Sequence, residues 1–231
     1  MDRELYPAGM RHIALWLLMF SAVAAGAQTA GQWRDSLSVL NDSIRMMPHN
    51  TDLRLRKAAV NIELGQWDYA VEEYGRVLQI DSRNLAALYY RAYANTTLRH
   101  YDMARNDYET FLGIVPHHFE AQLGLAMVKR KLGRQLDTLD ELNQLVQQFP
   151  DSALAYAARA DYEAELGKYD VALFDWGEAI SRRPLNADFV VSKTEILLRL
   201  KRYDEAWALL EEAMRRGIPR AALKEWIDRC K

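Results

Sequence analysis

The sequence predicts an all-α protein: a right-handed α-solenoid of stacked helix-turn-helix repeats, closed by a C-terminal capping helix. Leu64, Leu98, Leu132, Leu166 and Leu200 recur at an unbroken spacing of 34. Trp67, Tyr101, Gln135, Tyr169 and Tyr203 follow each leucine by three, and Ala70, Ala104, Thr138, Ala172 and Ala206 follow it by six. Pro116, Pro150 and Pro184 close successive units at the same period, and Pro48 falls in phase one unit earlier. A period of this length marks a solenoid, because one hairpin cannot bury its apolar face alone and must stack on the next.

The opening segment is of another kind. Met10-Arg11-His12 precedes the apolar run Ile13 to Phe20 and the small-residue stretch that ends in Ala25-Gly26-Ala27. A basic start, an apolar middle and an A-x-A-like ending read as a secretory signal peptide over residues 1–27, with Met10 as an alternative start. The apolar run is shorter than the ~20 residues that a membrane-spanning helix needs, so a retained anchor is the second reading. With one cysteine, Cys230, the chain has no internal disulfide and no lipid-accepting cysteine after the signal. These features suit an exported protein of a bacterial periplasm or the medium, with no stable membrane insertion after cleavage.

Each unit then reads as two amphipathic helices. In residues 153–186 the stretch ALAYAARADYEAEL carries small and apolar residues at helical spacing, Gly167 breaks it, and YDVALFDWGEAISRR forms a second helix that Pro184 ends. Gly65, Gly133 and Gly167 stand one past the leucine, where the chain must reverse, with Arg99 and Lys201 in that place elsewhere. The alanine lets the two helices approach closely, and the large residue four beyond it (Tyr74, Tyr108, Leu142, Trp176 or Leu210) packs against the next unit. The third unit departs furthest, with Gln135, Thr138 and Leu142, and looser packing is expected there, from ordinary degeneracy or as a flexible joint.

This pattern resembles the tetratricopeptide repeat family: a 34-residue helix-turn-helix unit with small residues at its eighth and twentieth places and proline near its end. The resemblance covers residues 51–218 as five units, 51–84, 85–118, 119–152, 153–186 and 187–218, with Ala58, Ala92, Ala126, Ala160 and Thr194 at the eighth place. Residues 28–50, with Trp33, Ser36, Leu40 and Pro48 in phase, look like the second helix of a half unit. Residues 219–231 lack the signature but carry Ala222, Leu223, Trp226 and Ile227 at helical spacing, as a capping helix does.

The resemblance also implies a concave groove lined by the first helices. Carried over place by place, it would present Tyr89, Tyr93, Thr96 and Thr97 from the second unit, and Leu123, Met127, Arg130 and Lys131 from the third. Asp161 and Glu165 come from the fourth unit, and Glu195 and Arg199 from the fifth. An extended peptide with an acidic group near Arg130 and Lys131 and an apolar side chain against Tyr89 or Tyr93 fits that lining. The family's clamp for chaperone tails is not reproduced, since Leu55, Ala59, Tyr90, Glu120 and Gly124 hold its places.

Charge and motifs exclude other classes. The formal net charge is -2 with acids and bases interleaved, so no basic field exists for a nucleic-acid backbone. The phosphate-loop, zinc-protease, nucleophile-elbow and calcium-loop motifs are absent, and no catalytic residue or cofactor is implied. His117, His118 and Glu120 form the one cluster with metal-ligand chemistry, but adjacent residues of a turn diverge, and no metal site is assigned. Asp35-Ser36, Asp42-Ser43, Asp137-Thr138 and Asp151-Ser152 resemble short O-glycosylation acceptors, although Ser152 is equally a helix cap. The expected function is a non-catalytic adaptor of the cell envelope that binds a protein or extended peptide. A self-associating solenoid, through a terminal unit or Cys230, is the alternative; an enzyme of unrecognised type is a third.

Overall fold

The computed structural model describes residues 29–230, and the signal-peptide reading of residues 1–27 lies outside them. All described elements are helical. They are α1 (Ala30–Met46), α2 (Thr51–Glu63), α3 (Trp67–Ile80), α4 (Leu85–Thr97), α5 (Tyr101–Ile114), α6 (Phe119–Lys131), α7 (Gln135–Gln148), α8 (Ala153–Glu165), α9 (Tyr169–Arg182), α10 (Ala187–Arg199) and α11 (Tyr203–Arg216). A 3-10 turn (Arg220–Leu223) and the short α12 (Lys224–Arg229) complete the chain. The helices form two compact units that divide between Gly133 and Arg134, α1–α6 in the N-terminal one and α7–α12 in the C-terminal one.

Local chemistry sets the boundaries of the first helices. Each first helix is capped by a side chain at the same place: Asn50 accepts from the Leu53 amide at 3.1 Å, Asn84 from Ala87 at 3.0 Å, His118 from Ala121 at 3.3 Å, Ser152 from Ala155 at 3.4 Å and Asn186 from Phe189 at 3.1 Å. Such a cap contributes about 1 kcal/mol by satisfying an amide that has no partner within the helix. Each first helix then ends on a left-handed residue, at φ 68° for Gly65, 72° for Gly133 and 76° for Gly167, but also at 61° for Arg99 and 59° for Lys201. The following amide reaches back five residues, as from Gln66 to the Asn61 carbonyl at 2.8 Å and from His100 to Asn95 at 2.8 Å, which reverses the chain in one step.

Packing follows the small residues. Ala58, Ala70, Ala92 and Ala104 are fully buried in the N-terminal unit, and Ala160, Ala172 and Ala206 in the C-terminal one, so paired helices meet nearly backbone to backbone. Large side chains fill the space between hairpins: Tyr74 stacks on Tyr90 with centroids 6.1 Å apart, and the Tyr108 ring lies against Gly124. Thr138 and Leu142 are both buried, because threonine is close to alanine in size and its hydroxyl is satisfied by the Arg134 carbonyl at 2.7 Å.

The two chain ends differ. Leu223 and Ile227 are buried in the core of the C-terminal unit, and the Trp226 indole donates to Glu195 at 3.3 Å. By contrast α1, held by a capping box between Thr29 and Gln32, packs on α2 yet has no buried residue among those described, and Val39 is 66% and Met46 81% exposed.

Candidate functional site

In the N-terminal unit the first helices α2, α4 and α6 touch in sequence, so the residues expected to face a partner share one surface there. Tyr93 is 46% exposed and meets Trp67 edge-on at 5.9 Å; the Thr97 hydroxyl beside it donates to the Tyr93 carbonyl at 3.2 Å. Met127 on α6 is 53% exposed, with Arg130 half-buried and Lys131 exposed one turn on. Exposed aromatic and thioether surface beside cations is what an apolar, acidic peptide segment needs.

Two of the eight residues named in that unit, Tyr89 and Thr96, are engaged elsewhere. Tyr89 sits in an aromatic cluster, its ring 5.8 Å from Phe111, 6.1 Å from Tyr108 and 5.7 Å from the His118 imidazole. Burial, with the Glu120 carboxylate nearby, pushes its phenol up to about 12, so it stays neutral. Thr96 turns its hydroxyl to the Ala92 carbonyl at 2.8 Å and pairs with the Tyr108 phenol. The Nδ1 atom of His118 faces its own helix, accepting the Ala121 amide with Glu120 3.4 Å away, and burial holds the imidazole below its usual range.

The remaining four lie in the C-terminal unit on α8 and α10, which also touch. Asp161 and Glu165 are exposed on α8. On α10 Glu195 accepts the Trp226 indole, and the Arg199 guanidinium lies 5.2 Å from the centre of the Tyr169 ring, a cation-π contact. These are two sets of residues, one in each unit.

A second arrangement was not read from the sequence. At the seventh place of the first, second and fourth hairpins stands a base, and sixteen residues on stands an acid that it grips; in the third, Leu125 holds the base's place. Lys57 Nζ is 2.9 Å from Glu73, which Arg54 also holds at 2.8 Å; Arg91 binds Asp107 at 2.8 and 2.6 Å; Arg159 binds Asp175 at 2.6 and 2.8 Å. Burial pushes the Glu73 carboxyl up, but the hydrogen bonds from Lys57 and Arg54 outweigh it and hold it below the usual carboxylate range. The signal was present in the sequence, at the same period as the leucines. It was hidden because charged residues on helices are ordinarily solvated.

Comparisons with known proteins agree with this architecture. A family model described as tetratricopeptide repeat matches residues 127–187 and 157–222. Among solved structures, a tetratricopeptide repeat protein from Parabacteroides merdae superposes with a TM-score of 0.61 at 22% identity, covering 87% of this chain and 78% of that one. YrrB, described as a TPR protein with an unusual peptide-binding site, superposes with a TM-score of 0.59 at 17% identity, covering 80% of this chain and 96% of its own. A curated relative, the human peptidyl-prolyl cis-trans isomerase FKBP4, is 22% identical over 120 residues, 52% of this chain and 25% of that protein. The chain thus spans about a quarter of the length of that relative.

Proposed function

Since this chain is a tetratricopeptide repeat protein, we propose that it is a non-catalytic adaptor of the bacterial envelope that holds a protein or extended peptide against the first helices of its hairpins. Stacked hairpins of this family are protein-interaction scaffolds, and the fold places the chain among them. The observation that carries the finer reading is the surface of α4 and α6, where Tyr93 and Met127 remain exposed beside Lys131 after packing has taken Tyr89 and Thr96. Tyr93 and Met127 lie on helices that touch, and together they offer apolar surface that an apolar side chain of a peptide can cover. The peptide site in the description of YrrB supports the same use of the fold. Export rests on the signal-like pattern of residues 10–27.

The test is an affinity capture from envelope extract, comparing the wild-type chain with an Arg130→Glu, Lys131→Glu, Tyr93→Ala variant of unchanged helix content. A partner held by the first and lost by the second supports the groove. A partner held equally by both moves binding to another face. Self-association is the second reading, favoured by the exposed Val39 and Met46 on α1, and a sedimentation coefficient that rises with protein concentration would support it.

A further inference from the structure

The base-acid pair stands in the first, second and fourth hairpins; the third has Leu125 and Glu141 in the two places, and the last keeps the base without the acid. Lys193 holds the place of Lys57, Arg91 and Arg159, but sixteen residues on stands Leu209 where Glu73, Asp107 and Asp175 stand in those three hairpins. We propose that Lys193 forms the floor of a docking site on the second-helix face of the C-terminal unit, and that it takes an aspartate or glutamate side chain of a partner protein.

The surroundings of the amine are built for this. In earlier hairpins the base also meets the preceding second helix: a Cβ on Gly75 would lie 3.7 Å from Arg91, and Arg159 donates to Asn143 Oδ1 at 3.0 Å. In the last hairpin the equivalent residue is Gly177, where an added Cβ would come within 3.1 Å of Lys193 Nζ. Glycine therefore leaves the amine without a side-chain wall on that side. Lys193 is half-buried, and no carboxylate lies within ion-pairing distance of it among the described residues. The charged groups around it are Arg202 and Glu205, and these close on each other at 2.6 and 2.7 Å. Burial and the nearby Arg202 hold the ammonium below its usual range, the condition of a base that lacks the partner its counterparts have.

The lip of the site is apolar. Phe174, 64% exposed on α9, stands three residues before Gly177 and so neighbours it on the helix surface; Val171, 46% exposed, stands three residues before Phe174 and extends the apolar surface round the helix. A single ammonium offers three donors at one point, which matches one carboxylate; a phosphate group calls for a cluster of arginines, and the one arginine here is already paired. An acidic residue flanked by an apolar one, on a partner's loop or helix, supplies both the missing charge and a cover for Phe174. The site shares no residue with the α4 and α6 surface, so the groove variant leaves it intact and the two readings fail separately.

The experiment uses the full chain with isotope-labelled lysine, titrated with acetyl-Phe-Asp-amide and acetyl-Phe-Asn-amide while the lysine side-chain resonances are followed by NMR. The Lys193 resonance is identified by its loss in Lys193→Met. Expected is a saturable shift confined to Lys193 with the aspartate peptide, about tenfold weaker or more with the asparagine peptide. Leu209→Asp, which restores the internal pair, should remove the response. If that variant does not hold its helix content, Gly177→Asp supplies the carboxylate from the neighbouring helix instead. A Lys193 resonance that moves no more than those of exposed lysines overturns the proposal, as does an unchanged titration in the variant that carries its own carboxylate.

Discussion

Arg91 grips Asp107 through both ends of its guanidinium fork, Nε to Oδ2 at 2.8 Å and Nη2 to Oδ1 at 2.6 Å, and so ties the first helix of a hairpin to the second. Two parallel bonds fix the angle between α4 and α5 as well as their separation. The same geometry in Arg159 and Asp175 shows that the device belongs to the repeat and not to one unit.

Removing one partner of such a pair costs more than removing both, because it strands a charge. Asp107→Ala should destabilise the chain by about 3 kcal/mol in urea unfolding, and Arg91→Met with Asp107→Leu should recover most of that loss. Equal losses in the single and double variants would show that the pair acts through packing alone.

Glu163 carries the opposite sign. Burial, reinforced by the Asp175 carboxylate, raises its carboxyl above the ordinary value. The folded state therefore prefers the protonated form, and stability falls as pH rises from the unfolded value of 4.5 through the raised folded one. Glu163→Gln should be more stable than the wild type at pH 7, with the difference shrinking toward zero below pH 4.5; thermal unfolding across that range is the measurement.

For Glu73 the sign reverses again. Its lowered carboxyl contributes stability above the unfolded value of 4.5 that is lost as pH falls through the folded one. Glu73→Gln should flatten the acid limb of the stability profile, and an unchanged limb would assign acid unfolding to other groups.

Gly124 lies under the Tyr108 ring, where an added Cβ would fall 2.6 Å from the ring carbon Cζ. Because Tyr108 is buried and bonded to Thr96, the ring has nowhere to go. Gly124→Ala should cost about 1–3 kcal/mol by overpacking, and differential scanning calorimetry would show it as a lowered Tm.

Lys201 holds a left-handed turn at φ 59° without being glycine. Lys201→Gly should stabilise the last hairpin by about 1 kcal/mol, since the strain on a Cβ in that conformation outweighs the entropy cost of glycine. Chemical denaturation with an unchanged slope and a raised midpoint is the expected result.

Much of the fold was legible because it is local. Leu64 and its successors, the reversing Gly65, Gly133 and Gly167, and the small Ala70 and Ala172 act within one hairpin, and their spacing records the geometry directly. The candidate site was legible only in outline. Tyr93 and Tyr89 are four apart on one helix and look alike in sequence, yet one is exposed beside Trp67 and the other is enclosed by Phe111, Tyr108 and His118. Which ring is enclosed depends on how the side chains of α5 and of the turn after it pack on α4.

The sequence by itself determined the helices, their reversals and the stacking unit, since a 34-residue period of apolar, small and turn residues admits one hairpin geometry. Only the tertiary structure decided which polar groups leave water. Arg159 and Asp175 became a buried pair, Glu163 a strained acid and Lys193 a base without its counterpart, because burial depends on how the side chains of neighbouring helices pack around each group, which the spacing alone does not show.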